Sequence, residues 1–212
     1  MKHFLMLLIA LYSTHAFSTN ALAGDLKMNK TYTPNADIKQ TRPDGYPFAT
    51  FAGGCFWCVE SEFRRLDGVL YTESGYAGKD KINVTYRDVS RGNTGFREVI
   101  QIVYDPAKIS YEELVEYFLL KAHDPTQTDG QNVNIGFQYT SAIYTSDDVQ
   151  LETTNKIIAD LTSKGQFKKP IVTAVEPLLH YVKAEEYHQQ YYEEYERKTG
   201  QKHINILIKE RK

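Results

Sequence analysis

The chain holds two cysteines, Cys55 and Cys58, three residues apart and directly behind Gly53-Gly54. So few cysteines cannot make a disulfide-stapled scaffold, so the fold must rest on a hydrophobic core of its own. Pro47-Phe48-Ala49-Thr50-Phe51-Ala52 reads as a strand, and the glycines allow a sharp turn. Helical spacing then runs from Cys55 through Val59, Glu62, Phe63 and Leu66, until Asp67-Gly68 stops it. The motif therefore sets a thiol at a strand-to-helix junction. Three explanations of the spacing are open: a structural bridge, half of a metal site, or a redox pair. A zinc site needs at least two more ligands, and His123, His180, His188 and His203 show no paired ligand spacing. A bridge closing so small a loop removes little chain entropy and is a poor stabiliser. At a helix N-terminus, unpaired N–H groups and the macrodipole favour an anion. The expectation is that the Cys55 pKa falls below roughly 8.5, which makes Cys55 the nucleophile and Cys58 its partner one turn on.

The first residues read as an export signal. Met1-Lys2-His3 is followed by an apolar stretch from Phe4 to Tyr12, and Ala21-Leu22-Ala23 precedes Gly24, the pattern of a signal peptide over 1–23. A cut after Ala16, with Thr14 before it, is the alternative. A membrane anchor needs about 20 apolar residues, more than this stretch offers, and no later segment could span. The chain is thus expected to be exported, periplasmic or secreted, with no membrane association after signal removal. The formal net charge of −2 becomes one unit more acidic once Lys2 is lost, so nothing points to a nucleic-acid partner. Residues 24–46 read as a polar leader, loosely packed or disordered, and 47–212 as one domain.

Within that domain, Val69 to Ser74 and Glu98 to Tyr104 read as strands, joined by a long polar, glycine-punctuated connection from Gly75 to Gly95. Connections of that length inside compact domains are usually functional. Ser110 with Glu113 forms a capping box for a helix that buries Leu114, Val115, Phe118 and Leu119. A loop from His123 to Gly136 leads into a strand from Gln138 to Thr145. A capped helix from Asp147 to Ser163, a strand from Ile171 to Pro177 and a tyrosine-rich helix from Ala184 to Lys198 follow. Strand, helix, strand, strand, helix, strand is the order of the split βαβ unit. The expected fold is α+β, a two-layer sandwich with a ferredoxin-like core.

Phe56 and Trp57 stand between the cysteines. A helix this near its start cannot bury four successive side chains in one direction, so at least one ring should border the thiol's cleft. An apolar wall beside a thiolate suits a substrate carrying a methyl or thioether group. If that substrate gives up an oxygen, a proton donor is needed, and Thr85-Tyr86 and Thr94-Gly95-Phe96-Arg97-Glu98 can supply one. Glu98, beside Val99, reads either as a surface carboxylate paired with Arg97 or as a partly buried acid of raised pKa.

Taken together, these fragments resemble the peptide methionine sulfoxide reductase A family. The resemblance rests on Gly54-Cys55-Phe56-Trp57, Gly75-Tyr76-Ala77-Gly78, Thr85-Tyr86, Thr94-Gly95 with Glu98, and Tyr104-Asp105-Pro106. It continues through His123-Asp124-Pro125-Thr126 and Gln138-Tyr139 before Ser141-Ala142-Ile143-Tyr144, covering roughly 47 to 192. It implies thiol-dependent reduction of methionine S-sulfoxide, free or in oxidised proteins, to methionine. In that scheme Cys55 attacks the sulfoxide sulfur, Glu98 protonates the oxygen, and Tyr86 and Tyr139 hydrogen-bond to it. Phe56 and Trp57 hold the methyl group, Asn134 lies in the oxygen pocket, and the sulfenic acid on Cys55 is resolved by Cys58. No bound cofactor or metal is implied, only an external reductant such as a thioredoxin-like protein. The chain departs from the family's usual pattern at Cys58 (usually Gly), Asn134 (Asp), Phe96 (His), Lys79 (Gly) and Thr140 (Arg), and it lacks the distal recycling cysteines of many members. The competing readings are an exported CxxC thiol-disulfide oxidoreductase, which leaves Tyr86, Glu98 and Tyr139 unexplained, and a degenerate member that only binds methionine-rich partners.

Overall fold

The computed structural model describes residues 38–80 and 83–203; the signal expected over 1–23 and the leader up to residue 37 lie outside them. β1 (Phe48–Ala52), α1 (Phe56–Phe63), β2 (Val69–Gly78), α2 (Tyr86–Val89) and β3 (Arg97–Tyr104) come first. α3 (Tyr111–Tyr117) continues into a π-helical turn, Phe118–Ala122. The hairpin strands β4 (Gly130–Gln131) and β5 (Asn134–Ile135) then precede β6 (Ala142–Thr145) and α4 (Asp148–Ser163). β7 (Ala174–Pro177), β8 (His180–Lys183) and α5 (Tyr191–Thr199) complete the order.

Six strands form one sheet in the order β7-β6-β1-β3-β2-β8. All pairs are antiparallel except β6 with β7, so the fold is α+β with a mixed sheet. β3 is central and buried along its whole length. Its side chains alternate between the two faces. Ile100, Ile102 and Tyr104 enter the large cluster with Phe51, Phe56, Val59, Phe63 and Phe118. Val99 points the other way, to a smaller cluster with Ala52, Ala142 and Tyr144. The capping box of α3 forms as the sequence predicts: Glu113 N–H donates to Ser110 Oγ, and Ser110 N–H donates to the Glu113 carboxylate at 2.7 Å.

Four segments fold differently from what their sequence predicts. First, the connection expected from Gly75 to Gly95 is partly regular. β2 runs on to Gly78, pairing Gly75 with Val99 and with Lys183, and α2 occupies Tyr86–Val89. The glycines mark close approach within a strand, since a Cβ at Gly75 would collide with the Tyr181 ring and one at Gly78 with the Phe96 ring. Second, the strand expected to start at Gln138 starts at Ala142. Phe137–Tyr139 form a 3₁₀ turn instead, closed by Thr140 Oγ1 donating to the Phe137 carbonyl. Third, the strand expected from Ile171 is shorter, Ala174–Pro177. Fourth, the helix expected over Ala184–Lys198 is broken. Glu186–His188 form a 3₁₀ turn, Gln190 takes a left-handed φ of 51°, and α5 begins only at Tyr191. The strand β8, an edge strand of four residues, is not legible in the sequence.

Candidate active site

β1 delivers the chain to Gly53-Gly54, and Cys55 caps α1. Gly54 has φ of 98°, and its α-carbon lies under the Gln131 side chain, so a Cβ there would come within 2.6 Å of Gln131 Cβ. Only glycine satisfies both demands. Cys58 N–H donates to the Cys55 carbonyl at 3.0 Å, and both cysteines are free thiols, half-buried.

Glu98 is the neighbour that matters most. It is 2% exposed, and its Oε2 accepts the Phe56 N–H at 3.1 Å. That N–H belongs to the first residue of α1, so the carboxyl occupies the helix N-terminus beside Cys55. Burial pushes the Glu98 pKa up to about 8, so the group is mostly protonated at neutral pH. The surface pair of Glu98 with Arg97 does not form, because successive strand residues point to opposite faces. Arg97 instead bonds Thr140 Oγ1 and Tyr144 Oη, both at 2.8 Å, and pairs with Glu176 at 3.3 Å.

The expectation of a low Cys55 pKa is overturned. The Cys58 thiol hydrogen-bonds to Cys55 and, with burial, pushes its pKa far up; an ionised Glu98 would push it the same way. The Cys58 backbone N–H acts in the lowering direction but is the smallest influence. The pull of the helix start on Cys55 is therefore outweighed by the neighbouring thiol and by burial.

Tyr86 and Tyr139 join the same neighbourhood. Both phenols are pushed up by burial first and by Glu98 next, and both feel Cys55. Four residues singled out from the sequence, Cys55, Glu98, Tyr86 and Tyr139, are thus brought within electrostatic reach of one another. Phe56 is fully buried, and Trp57 is only partly so, stacked on Tyr191 with centroids 3.8 Å apart and 9° between planes. Asn134 pairs through its backbone with Gln131, the residue lying over Gly54. Among the described residues the Asn134 side chain makes no hydrogen bond.

The segment after β8 supplies a set of site residues that the sequence reading missed. His188, 0% exposed, sits among the rings of Phe56, Trp57, Tyr86 and Tyr187, with centroids 4.1–5.6 Å away. Its Nδ1 accepts from Trp57 Nε1 at 3.1 Å, and burial lowers its pKa, so the ring is neutral with hydrogen on Nε2. Glu185 accepts from Tyr76 Oη and from the Tyr86 N–H, both at 2.9 Å, tying α2 to this segment. Their signal was present: Glu185-Glu186-Tyr187-His188-Gln189-Gln190 has no apolar stripe of helical period. Among the described residues no group of three or more His, Cys, Asp or Glu side chains is placed to hold a metal ion, and no helix is long and apolar enough to cross a membrane.

Comparison with known proteins gives a single direction. The family model for peptide methionine sulfoxide reductase matches residues 48–212. Peptide methionine sulfoxide reductase MsrA of Natronomonas pharaonis is 46% identical over 145 residues, 68% of this chain and 81% of the relative. MsrA 1 of Rhodopirellula baltica is 44% identical over 153 residues, 72% and 78% of the respective chains. Among solved structures, reduced Mxr1 from Saccharomyces cerevisiae aligns with a TM-score of 0.65 at 32% identity, covering 79% of this chain and 95% of Mxr1. Methionine sulfoxide reductase A of Corynebacterium diphtheriae aligns at 0.61 and 30% identity, covering 77% and 90%. A match that runs from β1 to residue 212, with relatives above 40% identity over most of their length, makes this chain a member of the peptide methionine sulfoxide reductase A family.

Proposed function

We propose that this protein reduces the S epimer of methionine sulfoxide, free or within oxidised proteins, with Cys55 as nucleophile and Glu98 as general acid. The observation that carries the reading is Glu98: a carboxyl kept protonated near neutral pH by burial, fixed by the Phe56 N–H one residue from the thiol. Glu98 gives its proton to the sulfoxide oxygen while Cys55 sulfur attacks the sulfoxide sulfur. The Glu98 carboxylate so formed takes the Cys55 proton, which answers the raised thiol pKa. The substrate's sulfur–oxygen bond then breaks as the hydroxyl passes to Cys55 sulfur, and the bond between the two sulfurs breaks with its electron pair left on the substrate sulfur, so Cys55 becomes a sulfenic acid. Cys55 sulfur is oxidised, the substrate sulfur is reduced, and methionine leaves. Tyr86 and Tyr139 donate to the oxygen. Phe56 and Trp57, the latter oriented by His188, hold the methyl group. Asn134, whose backbone pairs with the Gln131 that lies over Gly54, is the residue assigned to the oxygen pocket. Cys58 then closes a disulfide, which an external thiol, by chemistry a thioredoxin-like protein, reopens.

The same reading includes export, periplasmic or secreted, on the signal pattern of residues 1–23. It also takes the core as ferredoxin-like, which the insertion of β3 between β1 and β2, and the place of β6 beside β1, support. The test is incubation with a peptide carrying racemic methionine sulfoxide and dithiothreitol, followed by chiral separation. Conversion of the S epimer alone is expected; an unchanged peptide sinks the proposal and leaves the thiol-disulfide oxidoreductase and the degenerate binding member as the readings to separate.

A further inference from the structure

Four consecutive residues, Gln190 and the first three of α5, each hold a residue of α1 or Arg64, which ends it. Gln190 N–H donates to Glu60 Oε2 at 2.9 Å, and Tyr191 stacks on Trp57. The Tyr192 hydroxyl lies 3.1 Å from Cys58 Sγ, and Glu193 pairs with Arg64 at 2.9 Å. The last helix thus clamps the helix of the two thiols, and one contact falls on a reacting sulfur.

We propose that Tyr192 serves the recycling half of the reaction, its hydroxyl holding the Cys58 sulfur in position to attack the sulfenic acid on Cys55. The inference rests on the reductase reading above. Tyr192 is 1% exposed, its ring stacked on His203 at 4.6 Å and set edge-on to Tyr191 at 5.9 Å. A ring held on two sides keeps its hydroxyl in place against the Cys58 sulfur. While Cys58 is a thiol either group can donate. Once the sulfur gives up its proton only the hydroxyl can, and a donor facing the anion favours the attacking form.

The step balances without an added oxidant. A bond forms between Cys58 and Cys55 sulfurs, the sulfur–oxygen bond of the sulfenic acid breaks, and the Cys58 proton leaves with the hydroxyl as water. Cys58 sulfur is oxidised and Cys55 sulfur reduced. The contact also serves the return. When an external thiolate bonds to Cys55 sulfur, the disulfide breaks and Cys58 departs as a thiolate facing the same hydroxyl.

Tyr192→Phe in the full chain keeps the ring and removes only the hydroxyl. The reduced protein is mixed with one equivalent of sulfoxide peptide and no reductant, quenched at intervals, and weighed by mass spectrometry. Methionine release should match wild type, while the form carrying one added oxygen persists about tenfold to a hundredfold longer before it loses water and becomes two hydrogens lighter than the reduced protein, as expected when a hydrogen bond to a charged partner is removed. Cys58→Ser, which keeps the added oxygen, gives the limit. Disulfide closure at the wild-type rate overturns the proposal. Methionine release slowed in the same proportion overturns it too, because it makes the role one of packing. Absence of methionine from the wild type itself is the separate failure of the reductase reading.

Discussion

Replacing Glu98 by Gln removes a transferable proton and keeps an oxygen for the Phe56 N–H. Burial raises the carboxyl from 4.5 to about 8, so near pH 7 roughly nine-tenths of the protein carries the acid form, and near pH 9 roughly one-tenth. The acid is therefore present below about 8 and lost as pH rises through it. In single turnovers the variant should be about 10²- to 10⁴-fold slower at pH 7. The wild-type-to-variant ratio isolates the acid, because Cys55 is common to both proteins. It should be flat below pH 7 and fall about tenfold per unit above pH 8. Wild-type stability also declines as pH rises, but over a lower window. At pH 7 native Glu98 must keep a proton that the unfolded chain has released, a cost of about 3 kcal/mol at 1.36 kcal/mol per pKa unit. Its favourable state is fully present below pH 4.5 and declines as pH rises toward 8, so thermal melts should show Glu98→Gln gaining on wild type over that window and then running parallel. Equal single-turnover rates at pH 7, or a ratio that does not fall above pH 8, would refute the assignment of Glu98 as the acid.

Cys55→Ser should fold and yield no methionine, since an alcohol is a far poorer nucleophile toward sulfur and cannot take up the oxygen as a sulfenic acid; methionine from the folded variant would move the nucleophile elsewhere. Gly54→Ala should cost more than about 1 kcal/mol and lower activity, because φ of 98° and the Gln131 side chain both oppose a Cβ. An unchanged melting temperature would show that the turn relaxes freely. Ser110→Ala, removing the cap of α3 far from the chemistry, should cost about 1 kcal/mol in a denaturant melt and leave the single-turnover rate alone. A change in that rate would mean α3 is coupled to the site.

Local signals carried much of the fold. Cys55 at a strand-to-helix junction, the capping box at Ser110 and Glu113, and the alternation from Glu98 to Tyr104 each depend on residues close in sequence, and each appears where the residues place it. The same alternation contained the answer on Glu98, since its parity with Ile100 and Ile102 directs it to the helix-covered face. What local pattern could not weigh was how deep that face is, and burial alone turns a carboxylate into an acid of pKa about 8. The Cys55 expectation failed for the same reason, because a helix N-terminus acts on a thiol only as strongly as burial and a neighbouring thiol permit. Residues 180–193 take a structure that no local pattern specifies, because distant partners make it. β8 exists by pairing with β2, Gln190 bends to reach Glu60, and Tyr191 and Tyr192 find Trp57 and Cys58 more than 130 positions away in the chain. The sequence by itself determined which residues could do the chemistry and which local elements carry them. Only the tertiary structure decided their protonation states and their supports, because desolvation and long-range contacts come from residues that no short stretch of sequence contains.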